Sequence, residues 1–143
     1  MTRMKNVSAK AEFEVAFYDL DPMDIVWHGN YAKYLEVGRG ALLEKIEYSY
    51  SQMRASGYSW PVIELKVRYI KPAKLGQKLI CIATVVDFEN RLKIAYEIRC
   101  AESGERLTKA HSVQVAVDMA KEEMQLVSPK ILHDKMKVAL DSL

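Results

Sequence analysis

Cysteine is scarce in this chain, two in 143 residues, and both lie inside strand-like patterns far from any Cys or His at metal-ligand spacing. A disulfide framework is therefore excluded, no zinc site is supported, and Cys81 and Cys100 read as reduced core residues. Apolar runs of membrane-spanning length are missing as well. The basic N-terminus, MTRMKNVSAKAEF, holds no apolar core of signal-peptide length, so the expectation is a cytoplasmic protein with no membrane span. Nor is there an excess of charge of one sign. Lys and Arg number 21 against 19 Asp and Glu, a net charge of +2, which provides no basic field for duplex nucleic acid. Without repeats, low-complexity tracts or Pro/Gly/Ser linkers, residues 1–143 are expected to form one domain. What the chain does have is the balance of a globular protein, 50% hydrophobic and 28% charged. At this length about two-thirds of the unfolded surface is buried on folding.

Periodicity places the elements. Phe13, Val15 and Phe17 alternate with Glu12, Glu14 and Ala16, the pattern of a half-buried strand that Pro22 stops. From Asn30, a candidate N-cap, the spacing of Tyr31, Tyr34, Leu35, Leu42 and Ile46 predicts a helix to about Tyr48. Gly38 and Gly40 inside it each cost about 1 kcal/mol relative to Ala, which is tolerable where another backbone passes close. A short helix over Tyr50 to Ala55 ends at Gly57. Four strands follow, over Ser59–Ile70, Leu79–Val86, Leu92–Cys100 and Leu107–Val117. The last helix starts at Ser128-Pro129, with Leu132, Met136, Leu140 and Leu143 on one stripe. Strand, long helix, four strands and a terminal helix make an α+β layout. One helix is short cover for such a sheet, and its edges stay exposed, so pairing with a second copy is expected.

The chemistry concentrates in Tyr18 to Glu36, where Asp19, Asp21, Asp24, Trp27, His28 and Asn30 crowd a loop running into the long helix. The segment D-x-D-P-x-x-x-V-W-H-x-N-Y, followed by Arg68-Tyr69-Ile70-Lys71-Pro72-Ala73, resembles the 4-hydroxybenzoyl-CoA thioesterase branch of the hot-dog fold superfamily. The resemblance runs from Phe13 to about Val117. It implies a curved antiparallel five-stranded sheet wrapped around one long helix, with a short C-terminal helix here in addition. It also implies a homodimer joined sheet edge to sheet edge, often a dimer of dimers, with the active site at the subunit interface. The implied substrate is an acyl group in thioester linkage to coenzyme A, or to the same arm on an acyl carrier protein, and no cofactor is implied. The family's catalytic carboxylate falls on Asp21, and its carbonyl-polarising backbone N–H falls on His28. Many relatives carry glycine where this chain has Asp24.

Thioester hydrolysis needs an attacking group and a home for the oxyanion, while the thiolate leaves unaided. Asp21 supplies the first as general base or as nucleophile; equally, an Asp before Pro22 simply starts a turn. N–H groups at the helix start serve the second. The His28 side chain orients Asp21 or the acyl group, or else caps and packs. Trp27, Asn30 and Tyr31 are candidates for the acyl pocket, and Glu64 for an active-site contact across the dimer, with core and solvated-face readings beside them. Arg68, Lys71, Arg91 and Lys93 are candidates for the coenzyme A phosphates. Asp19, Asp21 and Asp24 also permit a cation reading, but no further ligand cluster accompanies them, so no metal is expected. The competing functions are a hot-dog dehydratase or hydratase, whose proline-rich histidine segment is missing, and a non-catalytic acyl-thioester-binding module, to which Asp24 lends support.

Overall fold

The computed structural model describes residues 6–143, and the basic start of the chain, Met1 to Lys5, lies outside the described residues. Strand β1 (Ser8–Glu14) gives way to a 3-10 turn over Phe17–Asp19. The strand thus stops well before Pro22. Its end is made by Asp19, whose Oδ2 accepts the Ala16 N–H at 3.2 Å and curls the chain off the sheet. Phe17, expected on the apolar face, is left 75% exposed.

A second 3-10 turn, His28–Asn30, feeds helix α1 (Tyr31–Lys45). The predicted face is the buried one: Tyr31, Tyr34, Leu35, Leu42 and, just past the helix, Ile46. The helix closes at Lys45 rather than Tyr48 because Glu47 turns to a φ of 57°. Asn30 does not cap it by accepting; its Nδ2 donates to the Asp19 carbonyl at 2.8 Å. The expected close approach occurs at Gly38 alone, where a Cβ would collide with Cys81 Sγ and stand 3.2 Å from Cys81 Cβ, whereas Gly40 faces open space. Gly38→Ala is accordingly expected to destabilise by about 1–2 kcal/mol despite its gain in helix propensity. In a Cys81→Ala background the same change is expected to become neutral or stabilising, which a double-mutant cycle of thermal melts reads directly.

Helix α2 (Tyr50–Ala55) starts at Ser49, which accepts the Gln52 N–H, and ends at Gly57 with φ 91°. The predicted strand from Ser59 is two, β2 (Tyr58–Ser59) and β3 (Val62–Tyr69), parted at Trp60-Pro61 because Pro61 brings no N–H to a ladder. Then come β4 (Lys78–Asp87), β5 (Leu92–Cys100), β6 (Arg106–Gln114), the short β7 (Val117–Asp118) and β8 (Glu123–Met124), and helix α3 (Lys130–Asp141). Pro129 sits just outside α3, Ser128 Oγ is buried without a partner instead of capping, and Leu143 lies beyond the helix.

The main sheet is antiparallel, in the order β1-β4-β5-β6-β3, and β2-β7-β8 form a small second sheet. Helix α1 lies across β1, β4 and β5, burying Leu79, Cys81, Ala83, Val85, Leu92, Ile94 and Ile98. It leaves β3, at the sheet edge, uncovered. The cysteines differ. Burial pushes the Cys81 thiol up to about 12, while hydrogen bonds led by that of Ser103 draw Cys100, at the end of β5, down to about 7.

Candidate active site

The loop before α1 is built on two aspartates with different tasks. Asp21 opens a turn in which the Asp24 N–H donates to its carbonyl at 3.0 Å, with Pro22 in the second position, where its fixed φ fits. Asp21 Oδ1 accepts the N–H groups of Met23 at 2.8 Å and Ile25 at 3.4 Å. Oδ2 has no hydrogen-bond partner among the described residues. One oxygen thus fixes the turn, as an Asp before Pro22 commonly does, and Asp21 is also among the residues that line the cleft described below. Asp24 has a φ of 61° and an exposed side chain. A left-handed position is where glycine is at ease and Asp is tolerated, which accounts for the exchange by backbone conformation.

Asp19 is buried. Its Oδ1 accepts from Lys33 Nζ at 2.8 Å, and its Oδ2 accepts from Tyr34 Oη at 2.8 Å. Burial alone would raise this carboxyl, but the bonds from Lys33, Tyr34 and the Ala16 N–H outweigh it and hold the group below its ordinary 3.8. Burial and the adjoining Asp19 charge raise Tyr34 well above the usual tyrosine range. The Asp19 carbonyl accepts from the Trp27 N–H at 2.9 Å as well as from Asn30. One residue thus ties the loop to the first turns of α1. With Asp19 so engaged and Asp24 turned outward, the three carboxylates do not converge.

The two halves of the sequence motif meet at Ala73. Its carbonyl accepts the Val26 N–H at 2.9 Å, and its N–H donates to Tyr31 Oη at 3.3 Å. These contacts close a cleft of about 290 Å³ lined by Asp21, Ile25, Val26, His28, Tyr31, Tyr69, Ile70, Lys71 and Pro72. The floor is largely apolar and aromatic. The Phe13–Tyr34, Tyr34–Tyr31 and Tyr31–Tyr69 ring pairs run at 4.6, 5.7 and 5.1 Å from β1 beneath α1 to the end of β3. At the mouth the N–H groups of His28 and Gly29 head the turn, ahead of its first internal bonds from the N–H groups of Asn30 and Tyr31.

Asp21, His28, Tyr31 and Lys71 are thus brought together, with Lys71 also paired to Glu105 at 2.9 Å. Trp27 and Asn30 are beside the cleft rather than in it: the indole lies over Gly29, half exposed, and Asn30 is bound to Asp19. Glu64 and Arg68 fall on the other face of the sheet. Glu64 pairs there with His111 at 3.5 Å, and Arg68 lies near Lys93, while Arg91 pairs with Asp87 at 3.5 Å. Tyr69 was not singled out from the sequence, although it stood inside the motif and on the apolar side of its strand. Its hydroxyl donates to the His28 carbonyl at 3.1 Å. Because C=O and N–H share one rigid plane, that bond also aims the Gly29 N–H. Tyr69→Phe is expected to lower kcat about 3- to 10-fold with KM and melting temperature little changed, as steady-state kinetics and a thermal melt will show.

The loop thus places the Asp21 carboxylate and the start of a helix at one largely apolar cleft. Comparison with known proteins gives the class. The model of the Thioesterase-like superfamily matches residues 15–134, and the chain belongs to that superfamily; it is a thioester hydrolase with the hot-dog fold. It is 34% identical over 111 residues, 77% of this chain and 80% of the relative, to the Bacillus subtilis (strain 168) protein named "Putative acyl-CoA thioesterase YneP". A DHNA-CoA thioesterase from Staphylococcus aureus superposes with a TM-score of 0.80 at 26% identity, covering 94% of this chain and 89% of that one. A 1,4-dihydroxy-2-naphthoyl-CoA thioesterase from Synechocystis shares the fold with a TM-score of 0.78 at 19% identity, covering 95% and 97%.

Proposed function

We propose that the cleft hydrolyses the thioester of an acyl-CoA, or of an acyl group on the same arm of a carrier protein, giving a carboxylic acid and a thiol. The observation that carries this reading is Asp21, pinned through Oδ1 and left with Oδ2 free beside the helix start. As general base, Oδ2 takes a proton from water while the water oxygen bonds to the carbonyl carbon. As nucleophile, it attacks that carbon itself, and water then opens the anhydride. On either route the oxyanion is met by the N–H groups of His28 and Gly29, and the thiolate departs when the carbonyl re-forms. Tyr31, Tyr69 and Ile25 offer the acyl group an apolar wall.

The working unit is a homodimer. Strand β3 is an edge with unpaired backbone groups, and Ile63, Leu65 and Tyr69 along it and Ile70 just beyond are all at least 43% exposed, a row that a second β3 would cover. No helix is long and apolar enough to cross a membrane among the described residues. The test is a panel of acyl-CoAs with a thiol reagent, run beside a mass measurement by light scattering. Thiol release by a dimer, or by the dimer of dimers that the resemblance also implies, is expected. Acyl-CoA binding without thiol release would sink the hydrolytic reading, and an active monomer would sink the dimer.

A further inference from the structure

The face of the sheet turned away from α1 carries a concentration of charge that the overall balance of +2 conceals. Lys66 and Arg68 on β3, Lys109 and His111 on β6 and Lys93 on β5 surround a shallow groove of about 380 Å³ with Ala95, Ala110 and Val86. The register makes this one surface, since Lys66, His111, Ala95 and Thr84 are successive cross-strand partners, and so are Arg68, Lys109, Glu97 and Ile82. The carboxylates nearby are already paired, one of them within the groove. Glu97 binds Arg99 and Arg106, each at 3.1 Å, and Glu64 binds His111. Lys66, Arg68, Lys93 and Lys109 form no ion pair among the described residues. Toward β4 a second groove of about 260 Å³ shares Val86, Ala95 and Lys109 and runs on to Ile82 and Thr84, with Glu97, held by Arg99 and Arg106, at its side.

We infer that this face docks an acidic, amphipathic helical surface of a protein that carries the acyl group on its pantetheine arm. The inference rests on reading the cleft as a thioester-hydrolysing site and names the form in which its substrate arrives. A second copy seated face to face on this groove is disfavoured, since a two-fold axis through it would set the same unpaired cations against one another. Isolated phosphates fit poorly. The backbone N–H groups of β5 and β6 are spent in ladders on both sides, so no nest of free N–H groups is available, and no exposed aromatic lines the groove to stack a base. Cations over a floor of small side chains, bordered by Val86 and Ile82, match carboxylates along one side of a helix and apolar residues along the next. The groove also stands near the cleft. Arg68 lies three residues before Lys71, about 10 Å along extended chain but on the opposite face of the sheet, so the arm would round the end of β3 to enter the cleft.

The test compares octanoyl-CoA with an octanoyl group loaded on a purified bacterial acyl carrier protein, using wild type, Lys66→Glu/Lys109→Glu and the milder Lys66→Ala/Lys109→Ala. Thermal melts establish that each variant is folded. Charge reversal is expected to lower kcat/KM on the carrier thioester about tenfold or more, and to weaken binding of the unloaded carrier protein by a similar factor. Both losses should shrink as salt is raised, and kcat/KM on octanoyl-CoA should stay within about twofold. Equal loss on both substrates would assign the groove to the nucleotide of coenzyme A and overturn the inference. So would a wild-type protein that fails to bind the carrier, or variants that process it unchanged. If wild type binds the carrier through Lys66 and Lys109 but cleaves neither thioester, the docking face stands and the hydrolytic reading falls.

Discussion

Asp21→Asn is expected to lower kcat on acyl-CoA by about 10²–10⁴-fold, the range for loss of a positioned acid–base group, while binding and stability change little. Asn keeps a carbonyl oxygen where Asp21 Oδ1 takes the Met23 N–H at 2.8 Å, so the turn survives. What disappears is the basic, nucleophilic Oδ2. Asp21→Ala removes both oxygens and should therefore lose stability as well, by about 1 kcal/mol, as a lost cap does. The difference between the two variants separates the chemical from the architectural share of this residue. Thiol-release kinetics and a thermal melt on each are sufficient. Equal rates for wild type and Asp21→Asn would remove Asp21 from the reaction. A first-turnover product in ¹⁸O-water that carries an Asp21 oxygen would mark direct attack, and solvent label throughout, with no trapped acyl-enzyme, would mark the general base.

The double role of Asp21 also shows what a sequence can and cannot convey about such a site. Helix α1 with its buried face and the strands β5 and β6 were legible because their periodicity is strong, and β4 because its run is nearly all apolar. The motif was legible as a string, but the reason for its two distant pieces was not. That reason is Ala73, whose backbone joins Val26 to Tyr31, a contact between segments far apart in sequence that leaves no mark on composition. Polar residues were least readable. Asn30 had the identity of a cap and became a donor to the Asp19 carbonyl, because the loop brought a better partner within 2.8 Å. Glu64, Arg68 and Tyr69 share one strand. Alternation sends the first two to the outer face and the third to the cleft, but only the fold says which face is which. Strand β1 was cut short by a local capping interaction, Ala16 N–H to Asp19, rather than by Pro22.

That capping residue carries the second large effect. Asp19→Asn is expected to destabilise the protein by about 2–4 kcal/mol near neutral pH and to lower activity alongside. An amide cannot accept from Lys33, Tyr34 and the Ala16 N–H together: whichever way it is turned, its NH2 faces the donors that one carboxylate oxygen had accepted, and the charge that held Lys33 is gone. The Lys33 contribution is the smaller, since its ammonium is half exposed and finds water, whereas the Tyr34 hydroxyl is enclosed. The direction with pH follows from the lowered carboxyl. A group whose folded-state value lies below its ordinary 3.8 adds stability that is complete above that value and is lost as the pH falls through the folded one. Wild type should therefore lose stability progressively below about pH 4, and Asp19→Asn should lose less over the same interval, so that the two denaturation midpoints converge in acid. Denaturant melts from pH 7 down to pH 3 measure the convergence. Parallel curves would show that the Asp19 charge contributes nothing. The loss of activity should exceed what unfolding explains, because the Asp19 carbonyl also fixes Trp27 and Asn30 on either side of the His28 and Gly29 N–H groups. Loosening the 3-10 turn moves the proposed oxyanion donors while leaving Asp21 in its own turn. The Asp19 variant should therefore lose kcat more than affinity, as Tyr69→Phe does from the opposite wall of the cleft.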